Sequence, residues 1–132
     1  MSKHALVIPT TQKREIVDLT DRVQQLIDNA NLNHGTCHLF VQHTTAAITT
    51  GEMGENTPDD FLNFLAKLVP TMEFRHTHDP SHAPDHMLAS LVGQSLTIPA
   101  EAGKLALGTW QRIYLVEFDG PRERSVIVTM TT

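Results

Sequence analysis

Trp110-Gln111-Arg112-Ile113-Tyr114-Leu115-Val116-Glu117-Phe118 reads as a strand with no wholly polar side. Successive side chains of a strand point to opposite faces. Trp110, Arg112, Tyr114, Val116 and Phe118 therefore share one face, and Gln111, Ile113, Leu115 and Glu117 share the other. Both faces are largely apolar, which predicts a central strand covered on two sides. Its neighbours extend the pattern. Ser95 to Ile98, a turn through Glu101-Ala102-Gly103-Lys104, Leu105 to Leu107, and Ser125 to Thr131 after the turn Asp119-Gly120-Pro121 all read as antiparallel strand.

Upstream, His4 to Thr10 is a first strand ended by Pro9, and Arg14 to Leu19 a second, with the first as its hairpin partner. Thr20 is a natural N-cap before Val23, Leu26, Ile27 and Ala30, whose spacing gives an amphipathic helix. In the strand Thr36 to Gln42, Cys37, Leu39 and Val41 face one way, and Thr36, His38, Phe40 and Gln42 the other. Strict alternation puts His38 and His43 on opposite faces, so they are not paired. The run from His43 to Glu52 reads as a turn or bulge feeding a further strand. Thr57 as cap, Pro58 at the first position and the acids Asp59 and Asp60 open a second helix. Its apolar face is expected at Phe61, Phe64, Leu65 and Leu68, and Pro70 ends it. A short third helix from about Pro84 to Val92 is expected to send Met87, Leu88, Leu91 and Val92 inward, with Gly93 as a left-handed cap. The order is β-β-α-β-β-α-α-β-β-β, an α+β fold with much antiparallel sheet.

The length of 132 residues suits one domain spanning residues 1–132, long enough to build a real core. No run approaches the roughly 20 apolar residues of a membrane span, and the apolar run after Met1-Ser2-Lys3-His4 is too short for a secretory segment. The chain is expected in the cytosol. Cys37 is the only cysteine, which excludes an intrachain disulfide and a cysteine-rich zinc knuckle; its apolar neighbours make it a buried, inert thiol. A formal net charge of −5 gives no overall attraction to nucleic acid or to an anionic membrane, so phosphate binding must come from a local arrangement.

The functional candidates gather around Phe74-Arg75-His76-Thr77-His78-Asp79-Pro80-Ser81-His82-Ala83-Pro84-Asp85-His86, where four of the eight histidines fall within eleven residues. The bland reading is a solvated polar loop; the functional one is a site, because imidazole is the commonest protein ligand for transition metals. His82 and His86 lie on one helical face if the third helix begins at His82, and His82 points elsewhere if it begins at Pro84. Glu52 ends a Thr-rich strand with no evident structural task and is a candidate base. Asp60 has the strong alternative of an ordinary first-turn helix acid. Arg122 and Arg124 flank Glu123 and point to one face, where two guanidiniums repel unless an anion such as phosphate lies between them. The alternative is a charged edge strand. Trp110 and Gln111, after Gly108-Thr109, offer a stacking surface and an amide, although a sole tryptophan is more often core.

Several of these segments together resemble the YjbQ family, the secondary thiamine-phosphate synthase enzyme family. The matching pieces are His38-Leu39-Phe40-Val41-Gln42-His43-Thr44-Thr45-Ala46, Glu52, Asp60, His76, and His86 with Met87-Leu88-Ala89-Ser90-Leu91-Val92-Gly93. They close with Leu107-Gly108-Thr109-Trp110-Gln111-Arg112-Ile113, Glu117 and the pair Arg122 and Arg124. The resemblance implies a two-sheet antiparallel β-sandwich with flanking helices, assembling as a homotrimer. It also implies a weak transferase activity coupling a pyrimidine pyrophosphate with a thiazole phosphate to give thiamine phosphate. On this reading His43, His76 and His86 converge on a divalent metal, Glu52 and Asp60 are the catalytic carboxylates, and Arg122, Arg124, Trp110, Gln111 and Thr44 bind the substrate and its phosphate. Two stretches depart from the family pattern. Ser81-His82-Ala83-Pro84 replaces acidic and amide residues, and Gly51 replaces the usual Asn. A nitrogen from His82 in place of an oxygen favours zinc-like ions over magnesium.

Three readings follow: a metal-assisted enzyme of this kind, a metal-dependent hydrolase with Glu52 taking a proton from bound water, and a non-catalytic module holding a metal or an anionic metabolite.

Overall fold

A computed structural model describes residues 2–132. The elements are β1 (Ser2–Pro9), β2 (Glu15–Asp18), α1 (Thr20–Ala30), β3 (Gly35–Val41), β4 (Ala46–Gly51), α2 (Thr57–Leu68), a 3-10 turn (Pro80–His82), α3 (Ala83–Val92), β5 (Ser95–Glu101), β6 (Lys104–Leu105), β7 (Arg112–Glu117) and β8 (Glu123–Thr131). This is the expected order, with a short β6 (Lys104–Leu105) standing in place of the expected strand Leu105 to Leu107. The strands form a five-stranded antiparallel sheet, β1-β8-β3-β5-β6, and a three-stranded one, β2-β7-β4.

β7 is central in the smaller sheet and buried on both faces. Ile113 and Leu115 pack with Cys37, Leu39 and Val41 of β3 and with Val126 and Val128 of β8, which closes the sandwich. Tyr114, Val116 and Phe118 face the other way and pack with Leu65 of α2 and with Leu88 and Ala89 of α3. Helices α2 and α3 thus cover the outer face of the three-stranded sheet. Burial pushes the Cys37 thiol up to about 11, which keeps it protonated and inert.

Several local expectations change. β1 and β2 are not a hairpin: β1 pairs with β8 and β2 with β7, so residues 10–14 carry the chain from one sheet to the other. Thr20 is the first residue of α1 and Leu19 takes the cap position without a side-chain cap; Asp18, one residue earlier, accepts hydrogen bonds from the Thr20 amide (2.9 Å) and hydroxyl (2.7 Å). Val23 and Ile27 are buried as expected, but Ala30 is exposed. In α2, Phe61, Leu62 and Leu65 face the sheet, whereas Phe64 and Leu68 are exposed. In α3, Met87 and Leu91 point outward; Ala83, Asp85, Leu88 and Ala89 take the inward positions. Gly93 has φ 106 and ψ 159, an extended departure with positive φ and not a left-handed cap.

Glycine is required at Gly51 for packing. A Cβ there would lie 2.5 Å from the Tyr114 ring, so a larger residue would displace Tyr114 from the core. Among the described residues no helix is long and apolar enough to cross a membrane.

Candidate functional site: an imidazole-lined cleft

Three connecting segments meet beside the end of β7. The link between β3 and β4 brings Gln42, His43, Thr44 and Thr45. The segment before α3 brings His76, His78 and His82, with His86 on α3 itself, and the β7–β8 turn brings Asp119 and Arg122. Together they line a cleft of about 650 Å³.

Its floor is a buried ion pair. Glu117 ends β7 fully buried, and Arg124 on β8 is only 2% exposed. The Arg124 Nε–H donates to both Glu117 carboxylate oxygens (2.9 and 3.0 Å), and its terminal nitrogen reaches Glu117 and the Thr45 hydroxyl, the latter at 2.8 Å. The Thr10 hydroxyl donates to Glu117 Oε1 at 2.7 Å, and the Asp119 amide to Oε2 at 3.3 Å. A buried charge is tolerated only when paired and hydrogen-bonded, and this network meets both conditions.

Arg122 has its own carboxylate as well. Its Nε–H donates to the Asp119 carbonyl oxygen (2.8 Å) and its terminal N–H to the Asp119 carboxylate (3.0 Å). The two arginines therefore need no shared phosphate between them, as the sequence suggested, because Glu117 and Asp119 supply one counter-charge each. Arg124 is structural. Arg122, more than half exposed at the cleft wall, is the one placed to reach a ligand.

His82 sits between two acids, with Nε2 3.3 Å from Asp79 Oδ2 and Nδ1 3.4 Å from Asp119 Oδ2. Helix α3 begins after it, at Ala83, so the ring swings toward the β7–β8 turn. His82, Asp85 and Asp119 offer ligand atoms within 4.8 Å of one another. Those carboxylates are already engaged by cations: Asp85 by Lys13 (2.7 Å) and Arg14 (3.0 Å), and Asp119 by Lys13 (3.0 Å) and Arg122. Burial alone would raise Asp119; the hydrogen bonds from Lys13 and Arg122 outweigh it and hold the carboxyl below the ordinary aspartate range. The trio is a salt-bridge network that ties α3 to the segment between the sheets.

The other imidazoles differ from His82. The rings of His76 and His86 lie 4.9 Å apart, tilted by 34°. His76 Nδ1 is 2.8 Å from the Asp79 carbonyl oxygen. With Nδ1–H donating there, Nε2 keeps its lone pair, the arrangement in which metal-ligating histidines are commonly held. His43 Nε2 accepts a hydrogen bond from the Ser125 amide at 2.8 Å, so that lone pair is used. Burial, then the charge of Arg124, hold His43 below the ordinary histidine range, against an opposing pull from Glu117.

The remaining candidates lie elsewhere. β4 runs antiparallel to β7, with Ala46 opposite Glu117 and Gly51 opposite Arg112. Thr44 is therefore at the cleft end, and Glu52 is at the other end of β4, roughly 17 Å along the strand. There Glu52 accepts a hydrogen bond from the Thr57 hydroxyl (2.6 Å), and its backbone carbonyl accepts from the Tyr114 hydroxyl. Asp60 is exposed in the first turn of α2, its amide bonded to the Asn56 carbonyl, the plain role of a helix-start acid. Trp110 is 74% exposed, outside β7, and lines a separate pocket with Glu52, Met53, Glu55, Thr109 and Arg112. Gln111 bonds the Thr50 hydroxyl and the Gly108 amide.

Sequence reasoning assigned no role to Glu117, Asp119, Asp85 or Lys13. The first was legible by parity: Glu117 shares a face with Ile113 and Leu115, and Arg124 shares one with Val126 and Val128, so opposite charges point into one core. Nothing local signals the pairings of Lys13 and Arg14 with Asp85 and of Lys13 with Asp119, which join residues 71 to 106 positions apart.

The fold and cleft define an α+β two-sheet protein with an imidazole-lined, cation-rimmed pocket at one end of its central strand. The sequence profile described as "UPF0047 protein YjbQ-like" matches residues 4–132, and the chain belongs to this YjbQ/UPF0047 family. It is 42% identical to a UPF0047 protein of Archaeoglobus fulgidus over 124 residues, 93% of this chain and 96% of that one. It is 35% identical to UPF0047 protein YugU of Bacillus subtilis over 126 residues, 95% and 96% of the two chains. Among solved structures, a hypothetical protein from Aeropyrum pernix superposes with a TM-score of 0.92 at 32% identity, covering 99% of this chain and 98% of that one. A YjbQ/UPF0047 protein from Clostridium acetobutylicum superposes with a TM-score of 0.89 at 38% identity, covering 97% and 99%.

Proposed function

We propose that this chain is a metal-assisted enzyme acting on a phosphorylated small molecule, with His76 and His86 holding a divalent cation of the zinc type. The observation that carries the reading is the close pair of imidazoles, His76 braced on the Asp79 carbonyl, in a cleft walled by Arg122. A cation bound there would neutralise phosphate oxygens and stabilise the charge on a departing pyrophosphate. Arg122 and Thr44 bind and orient the phosphate at the wall. The Arg124–Glu117 pair holds Thr45, and with it the His43 segment, in place. The family resemblance suggests the reaction: coupling of a pyrimidine pyrophosphate with a thiazole phosphate, giving thiamine phosphate and pyrophosphate, in a homotrimer.

Glu52 and Asp60 stand at the far end of β4, so the hydrolase reading loses its base within one chain. The same fact favours a second reading, a non-catalytic module that holds a cation and an anionic metabolite. Tag-free protein incubated with the two precursors, with zinc, magnesium or chelator, separates the two. Metal-dependent pyrophosphate release that His86→Ala abolishes is the expected result. Stoichiometric metal with no turnover would establish the binding module instead. Light scattering on the same samples tests the trimer.

A further inference from the structure

The Ser125 amide, part of β8, points at His43 Nε2 from 2.8 Å. An amide N–H can only donate, so Nε2 is the acceptor. A neutral imidazole carries one proton, which must then be on Nδ1. Among the described residues Nδ1 of His43 has no protein hydrogen-bond partner, and the ring is half-buried on the cleft wall beside Thr44, Thr45 and Arg122. Neither nitrogen is ready for a metal. Coordination through Nε2 would strip the Ser125 amide of its acceptor, and coordination through Nδ1 would drive the proton to Nε2, setting two N–H groups against each other.

We propose that His43 is a neutral hydrogen-bond donor to an anionic phosphate oxygen of the substrate, through Nδ1–H, and not a ligand of the cation. The assignment rests on the cleft being a site for phosphorylated substrates. Its neighbours support it. Arg122 brings a positive charge to the same wall, and Thr44 and Thr45 stand next to His43 in the chain. Burial and Arg124 keep the ring neutral, so the Ser125 bond survives and the ring's orientation is fixed. His43 then acts as a pre-aimed donor, of the kind that stabilises developing charge without reorganisation.

Imidazole nitrogen NMR of the wild-type protein tests the tautomer directly. His43 should show Nδ1–H, with Nε2 unprotonated, and should keep that signature when zinc is added, while His76 and His86 change. Addition of inorganic pyrophosphate should shift Nδ1 of His43. In metal-free protein, His43→Ala should weaken pyrophosphate binding by roughly tenfold, and His43→Asn, which keeps a donor near the Nδ1 position, should recover much of it. Zinc affinity should be unchanged in both variants. A zinc-induced change on either His43 nitrogen, an Nε2–H tautomer, or undiminished pyrophosphate affinity in His43→Ala would overturn the assignment. Zinc failing to bind at all would overturn the cation reading, while the metal-free pyrophosphate titration would still decide His43.

Discussion

At the carboxyl end of β7, Glu117 and Asp119 each hold an arginine beside a cleft lined by imidazoles; at its amino end, Arg112 holds Asp18 (2.8 Å) and Asp21 (3.1 Å) near an exposed Trp110. Both ends carry residues that a sequence reading groups into one site. The strand separates them. His43 and Glu52 are nine positions apart in the chain, yet six of the residues between them are β4, which carries Glu52 away from the cleft. Proximity in sequence survives a turn and is lost along a strand. The chemistry differs accordingly: one end offers free imidazole nitrogens, the other acids that are exposed or committed to hydroxyls and arginines.

The comparison is sharpest at the buried floor. Glu117→Ala leaves Arg124 charged and without its carboxylate in the core, which should cost about 3–5 kcal/mol in urea unfolding. A loss below about 1 kcal/mol would mean that Arg124 escapes to solvent and that the floor is not built as described. Next in size, His86→Ala or His76→Ala should weaken zinc binding by more than about a hundredfold in calorimetry, whereas Glu52→Ala and Asp60→Ala should leave it unchanged. A loss on Glu52→Ala would show that the two ends cooperate. Asp85→Asn removes a buried charge partner from Lys13 and Arg14, both partly exposed, and should cost about 2 kcal/mol. At the far end, Thr57→Val removes only the hydrogen bond to Glu52 and should cost about 1 kcal/mol, with no effect on metal.

The smallest effect is in pH. The folded-state pKa of His43 lies below its unfolded value, so the unfolded chain binds more protons as pH falls below about 6.5. The stability this group contributes is present above that pH and lost as pH drops through the folded value. Asp119 and Asp18, also held low, add losses at more acidic pH. Unfolding of metal-free protein should therefore become easier between pH 7.5 and 5.5, and His43→Gln should flatten that slope.

The legible part of the fold was the part written in local periodicity. Alternation in β3 and β7 named the buried faces correctly, and Val23 and Ile27 located the inner face of α1. Choices between two apolar partners were not legible. The strands His4 to Thr10 and Arg14 to Leu19 are close enough in sequence for a hairpin, but closeness does not say whether the chain returns beside β1 or crosses to the other sheet. Phe64, Leu68, Met87 and Leu91 were as apolar as their buried neighbours, and only the position of the smaller sheet decides which side of each helix is covered. The histidine-rich stretch stood out by its density, and His76, His82 and His86 line one cleft. The division of labour among them was not legible, because it depends on the Asp79 carbonyl, the Ser125 amide and the Asp119 carboxylate, none of which is marked in the sequence.

Anomalous diffraction at the zinc edge, from crystals of tag-free protein soaked in zinc, is the most direct test of the cation reading. A peak bonded to His76 and His86, with His43 still accepting from Ser125, is the expected result. A peak among His82, Asp85 and Asp119, a peak beside Glu52 and Trp110, or no peak at saturating zinc would contradict it.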